Sequence, residues 1–274
     1  MNWRSIWAIA RKDLMEVRQN KAAWGPAIAV PIIFAIIMPL IFVLLPQFIP
    51  VDDLERELGD IDSLLGKLPP AVGIIFHGLE LEQVFVLYMT AFMLAPLFLI
   101  MPLMFSSVVG SDSFVGERER KTLEALLYSP ATDMELFLGK VLAAVIPAIG
   151  LSWLTYLVYI IVVNAASFNL FERIWFPLPA WWPLMFWLTP AFAVLGISAT
   201  VLISSRVKTF MEAYQLSASL VVFVLAIVIG QITGVLYLGV GTVMVVGTLI
   251  WVIDLILLRI SIRQFKRSIL IEKL

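Results

Sequence analysis

From Lys21 to Asp52, Glu82 to Asp112, Lys140 to Glu172, Arg173 to Arg206 and Glu212 to Asp254, no charged side chain interrupts the sequence. About 20 apolar residues wound as a helix cross the roughly 30 Å hydrocarbon layer, and lipid offers no partner to backbone amides outside a helix or a closed barrel. Each of the first four windows therefore holds one crossing. The fifth is too long for one helix, and GQITGVLYLGVG (230–241) breaks it with glycines into two crossings and a short turn. The expected spans are 24–45, 84–107, 137–162, 183–204, 214–232 and 239–258. Only 14% of residues are charged and the mean hydropathy is +0.99, more than a soluble domain with a wet surface can carry. The fold class is an all-α integral membrane protein of six transmembrane helices.

Lys and Arg set the orientation. Sixteen of the nineteen fall in the N-terminus, the 110–140 loop, the 205–213 loop and the tail; Arg56, Lys67 and Arg173 fall on the other side. Both termini are expected in the cytoplasm, at a plasma membrane. The first span exceeds the apolar run of a signal peptide, and no small-x-small cleavage site follows it before LPQFIP. The 20 acids and 19 bases nearly cancel, so total charge points to no nucleic acid. There is no cysteine, which excludes disulfides and thiolate chemistry, and a lone His77 builds no metal site.

Residues 1–22 read as an amphipathic helix in the inner interface. Trp3, Ile6, Trp7, Ala10, Leu14 and Val17 keep helical spacing while Arg4, Arg11 and Arg18 fall on another face, beside Lys12. The external loop, 46–83, repeats that spacing with Val51, Leu54, Leu58, Ile61, Leu65 and Leu68 opposite an acidic face, and LPP (68–70) ends it. Prolines at 31, 39, 96, 102, 147 and 190 lie inside spans. Each frees a carbonyl that a neighbouring helix must satisfy, so they mark kinks in a packed bundle.

One charged segment, GERERKTLEALLYSP (116–130), separates two apolar stretches. Glu117 with Lys121, and Arg120 with Glu124, are spaced i,i+4, which supports a helix, and Leu123, Leu126 and Leu127 give it an apolar edge. Pro130 stops it, and Thr132 with Glu135 forms a capping box for the third span. Residues 110–136 thus read as a short cytoplasmic helix joining the second and third spans, either suited to docking in a groove on a soluble partner or a solvated connection that touches nothing.

The stretch SDSFVGERERKTLEALLYSPATDMELFLGKVLAA (111–144) resembles the region after the second span in permease subunits of type-2 ATP-binding-cassette (ABC) exporters, where a Glu-Arg-Glu-x-x-Thr-Leu-Glu core forms the coupling helix. Here that core is Glu117, Arg118, Glu119, Thr122, Leu123 and Glu124, with Lys121 inside it. IARKDLMEVRQNK (9–21) is similar to the family's interfacial connecting helix. The resemblance implies a single transmembrane domain over 1–274, pairing with a second copy or a related permease and driven by separate ABC ATPase subunits that hold the ATP and Mg. It also implies a prokaryotic membrane, and a cavity wall from the second and fifth spans, where Met93, Met101 and Phe105 stand beside Met89 and Met104. A methionine stripe also serves ordinary packing.

No phosphate loop occurs in this chain: Gly139 and Lys140 are followed by Val141. The chain is therefore expected to be a transport subunit and no enzyme, without a cofactor or metal of its own. A self-contained channel or ion-coupled carrier is the alternative. It would need an ionisable residue inside the membrane, for which Asp254, expected at the inner interface as a snorkelling acid, is the candidate. A lipid-modifying enzyme would need a carboxylate, Ser/His or metal cluster that the sequence does not offer. Lipid, hydrophobic drug or peptide, polysaccharide and sodium ion stay open as cargo.

Overall fold

The computed structural model describes residues 2–19, 21–48, 73, 75–120, 130–233 and 235–264. Helix α1 (Trp3–Gln19) precedes six helices long and apolar enough to cross a membrane: α2 (Ile28–Gln47), α3 (Leu81–Glu119), α4 (Asp133–Ala166), α5 (Trp181–Ser204), α6 (Phe210–Ile232) and α7 (Val240–Arg263). All six expected spans are present, and no strand occurs among the described residues. The helix expected in the external loop lies outside the described residues, as do Lys121, Thr122, Leu123 and Glu124. Below, the side of the bundle that carries α1 is the near side and the opposite one the far side.

Helices α3, α4 and α5 form the centre, while α2, α6 and α7 keep most of their surface turned outward. The α3–α5 contact is close because Gly196 has no side chain: a Cβ there would stand 2.2 Å from Ser106 Oγ and 2.7 Å from the Leu103 carbonyl. Small residues at helix crossings are how apolar helices gain contact in lipid, where no hydrophobic driving force separates one apolar surface from another.

The far side is built around broken helices. Helix α3 opens into a π turn at Tyr88–Met93 and a 3-10 turn at Pro96–Leu99. Leu94 N bonds Met89 O and Ala95 N bonds Phe92 O. Pro96 has no N–H to offer, and side chains from three other spans take the carbonyls of this stretch. Tyr159 Oη of α4 donates to Thr90 O (2.6 Å), Trp181 Nε1 of α5 to Ala91 O (2.9 Å) and Gln231 Nε2 of α6 to Phe92 O (2.9 Å). The π turn Leu184–Leu188 of α5 is treated the same way. Trp153 Nε1 donates to Met185 O, Thr189 Oγ1 to Leu184 O and Trp251 Nε1 to Trp187 O. Around these joints Trp181 stacks on Tyr159 (ring centroids 5.3 Å) and Tyr156 (5.7 Å) and takes Phe98 and Phe176 edge-on.

Adding one methyl at Gly196 should therefore separate α3 from α5. Gly196→Ala is expected to lower thermal stability in detergent by about 1–3 kcal/mol, the range for overpacking. Gly150→Ala, where a Cβ meets nothing within 4 Å, is expected to leave it unchanged or slightly raised. A melting-temperature comparison of the two proteins checks this.

Candidate functional site

On the near side α3 continues past the bundle through a π turn, Asp112–Gly116, and one helical turn, Glu117–Glu119. A π turn adds a residue to the helical repeat and re-aims the side chains beyond it. Here it leaves Asp112, Ser113 and Glu117 all buried. Opposite them stand two other elements. Helix α1 turns Ile6, Ala10, Asp13 and Val17 inward while Trp3 and Trp7 stay exposed. Helix α4 starts at its Thr132 cap, where the side chain accepts from Glu135 N and Glu135 accepts from Thr132 N, the expected capping box. Glu135 also accepts from Asn2 N, tying the start of α1 to the start of α4. Gly139 lets α1 lie against α4, since a Cβ there would meet Ile9 at 2.7 Å and the Ile6 carbonyl at 3.0 Å.

Between these three elements sits Lys140, fully buried. Its ammonium donates to Glu117 Oε2 (2.6 Å), Ser113 O (2.8 Å) and Ser113 Oγ (3.1 Å) and stands 3.4 Å from Asp13 Oδ2. The Phe114 ring lies 5.5 Å from the same nitrogen. The Ser113 hydroxyl donates to Asp13. At the rim, Lys12 bonds Glu117 and lies 3.1 Å from Glu16 Oε1 and 3.5 Å from Asp13 Oδ1. Two ammoniums thus hold three carboxylates, Asp13, Glu16 and Glu117, whose oxygens lie close enough together to suit a metal ion; Lys12 already occupies that position.

Burial works against the charge on Lys12, but the Glu117 hydrogen bond and the charges of Glu117 and Asp13 outweigh it and raise its pKa above the ordinary 10.5. A pKa raised on folding gives stability that is complete below the unfolded value and lost only as pH climbs through the folded one. The Lys12 contacts are therefore intact at any physiological pH.

Three consecutive residues of α3 then reach in three directions, as successive positions on a helix must. Glu117 points to α1 and α4. Arg118 Nη2 donates to Ser204 O (2.5 Å) and Val207 O (3.1 Å), gripping the end of α5 and the turn after it. Glu119 Oε2 accepts from Phe210 N (2.8 Å), the first residue of α6, beside the Thr209 cap. Arg120 folds back to Asp112 (2.9 Å) and closes the π turn from outside. The tip of α3 is thus bound to α1, α4, α5 and α6.

Of the residues singled out from the sequence, Lys12, Glu117, Arg118 and Glu119 meet here. Glu117 corrects the expectation of an exposed docking residue: it is completely buried, and it binds Lys12 and Lys140. Arg4, Trp7 and Arg11 are exposed on α1. Arg18 lies in α1, but its side chain is outside the described set. Met101 is inside the core, and Met93 and Phe105 are half-buried. Asp254 also departs from expectation. It does not snorkel: it is fully buried on α7, and among the described residues neither carboxyl oxygen has a hydrogen-bond partner.

Asp13, Ser113 and Lys140 were missed. Asp13 interrupts the apolar stripe Ile6–Ala10–Val17 at helical spacing, and Ser113 with Glu117 is an i,i+4 pair on one face. Those were the available signals; nothing local marks Lys140 as their partner.

A bundle of six helices long and apolar enough to cross a membrane, with a charged junction at the near end of its central helix, is the architecture of a multi-pass membrane protein. The chain matches the family model described as ABC-2 family transporter protein over residues 7–264, and it belongs to that family. It is a multi-pass membrane protein and an ABC permease subunit, of a family that associates with ABC ATPase subunits. No curated protein and no solved structure matches the chain.

Removing the Lys140 ammonium leaves the buried Glu117 and Asp13 with only the rim Lys12 as counter-charge, a loss of about 3–5 kcal/mol. Lys140→Met is thus expected to melt far below the parent. Adding Asp13→Asn and Glu117→Gln to the same chain is expected to recover most of the difference in a thermal-unfolding assay.

Proposed function

We propose that this chain is the permease subunit of an ATP-driven exporter, with residues 1–274 as one transmembrane domain and the tip of α3 as the point where force enters. The near side is then the cytoplasmic side and holds both termini, as the distribution of Lys and Arg requires. ATP and Mg are held by a separate ATPase chain that docks on the segment that follows the hub, toward residue 127, with Glu117 inside the hub and not at the contact. A second copy of this permease, or a related one, completes the pathway. Closure of the ATPase dimer tilts the tip of α3, and a cavity open to the cytoplasm or the inner leaflet closes there and opens outward.

The observation that carries this reading is the division of labour along Glu117, Arg118 and Glu119. A push on the segment after Arg120 reaches α1 and α4 through Glu117, α5 through Arg118 and α6 through Glu119. A single contact on a soluble partner can then move four elements together. Coupling of this kind needs discrete, physically connected elements, which the hub supplies. Lys140 adds support for hydrolysis elsewhere, because its ammonium is sealed among carboxylates and is not open to a phosphate.

Asp254 favours a second reading, an ion-coupled carrier, since an unpaired acid within a span is a functional candidate by default. The two readings part in proteoliposomes. The carrier moves substrate without an ATPase when an ion gradient is imposed; the exporter does not.

Purified from its native cell, the tagged chain is expected to bring down a roughly stoichiometric ATPase. In that complex Arg118→Ala or Glu119→Lys is expected to cut transport while hydrolysis continues. The loss should lie in the range of about 5- to 150-fold that coupling free energies span. If no nucleotide-binding chain copurifies, or if transport and hydrolysis fall together, the proposal fails.

A further inference from the structure

Helix α6 is clipped to α3 at both ends. At the near end Glu119 Oε2 accepts from Phe210 N, and at the far end Gln231 Nε2 donates to Phe92 O. Between these ends α6 turns Val222, Phe223, Leu225 and Ile229 outward; it buries Ala213, Ser217 and Val224, and Ser217 Oγ accepts from Thr200 Oγ1 of α5 (2.9 Å) in its near half. The far clip falls on the stretch of α3 where Pro96 withholds its N–H and the helix is broken.

Three side chains hold that break, and they are not equivalent. Tyr159 and Trp181 are fully buried, stack on each other at 5.3 Å, and both meet the Phe98 ring, at 4.8 and 5.1 Å. They cannot leave without dismantling the aromatic core. Gln231 belongs to no such stack. Its amide is buried, yet only the nitrogen is used, and among the described residues Oε1 has no hydrogen-bond partner. Among the described residues it makes the one side-chain hydrogen bond between α6 and α3 in the far half. A half-satisfied amide loses least by letting go, because part of its desolvation is already uncompensated.

We infer that Gln231 is a positioning residue of the transport cycle: it is the releasable clip that holds α6 against the break in α3, while Tyr159 and Trp181 keep the break itself in place. With the clip made, the far ends of α3 and α6 are closed together. When a push at the hub moves Phe210 with Glu119, α6 shifts as a strut, Gln231 leaves Phe92 O, and the far ends part. The inference rests on the coupling reading above, and its test separates the two.

The chain has no cysteine, so paired cysteines carry spin labels without background. One pair, His77→Cys with Ile232→Cys, spans the clip between exposed positions. A second, His77→Cys with Phe168→Cys, spans the start of α3 and the end of α4, which Gln83 Nε2 ties to Leu170 O. A third, Ala8→Cys with Met211→Cys, reports the near side. In the chain alone, in nanodiscs, the 77–232 distance is expected to be narrow, and Gln231→Leu is expected to broaden it and move it outward while 77–168 stays fixed. Gln231→Met keeps the length but offers no hydrogen-bond donor, and it is expected to do the same. An unchanged 77–232 distribution in a folded variant overturns the clip.

In the complex with its ATPase, nucleotide trapping is expected to move the parent 77–232 distribution to the one Gln231→Leu shows at rest, and to move 8–211 with it. A purely structural Gln231 would show no such nucleotide-dependent shift. If 8–211 moves and 77–232 does not, the hub couples but Gln231 is no clip of the cycle. If neither moves, the coupling reading falls and the release step falls with it.

Discussion

The ammonium of Lys140 has no route to water, and neutralising it shapes much of the near side. A buried cation is tolerable only with full hydrogen bonding and counter-charge. Glu117, Ser113 and Asp13 provide these from two different elements. Meeting that demand requires α1 to lie against α4 and α3 to turn through a π segment. The π segment in turn fixes where Arg118 and Glu119 point. An electrostatic requirement at one side chain therefore sets the position of five helices.

The far side answers a different demand with different chemistry. Lipid cannot satisfy a carbonyl freed by a proline or a π turn, and here indole, phenol and amide donors from other spans do so. Such bonds are directional and reach across helices, so the broken turns of α3 and α5 become points of attachment. The near side resists separation through charge and the far side through geometry. The central helix α3 belongs to both, which makes it the natural axis for any motion that passes from one face to the other.

The two kinds of order differ in how far the sequence reveals them. Spans, their number and the Thr132–Glu135 cap are local, carried by charge-free windows and by residues three apart. The prolines announced carbonyls in need of partners, and Pro96 proved to lie in such a joint, but Tyr159, Trp181 and Gln231 are distant in sequence and nothing near Pro96 names them. The same holds for the hub. Asp13 and Lys140 are 127 positions apart, and helical spacing carries information only within a few turns. Glu117 was legible as part of a motif, yet its buried state depends on a register change at Asp112–Gly116 that composition does not signal. Asp254 looked like a helix-end acid because Arg259 lies close after it; the packing that buries it comes from neighbouring helices.

The order in which the hub's members are made has a consequence for biogenesis. Asp13 and Glu117 precede Lys140 in the chain and, with two crossings between them, lie on the same face of the bilayer. Synthesis runs from the N-terminus, so both acids that neutralise Lys140 in the folded bundle are made before the lysine itself. Helix α1 thus carries, from the very start of the chain, the counter-charge for a span made more than a hundred residues later.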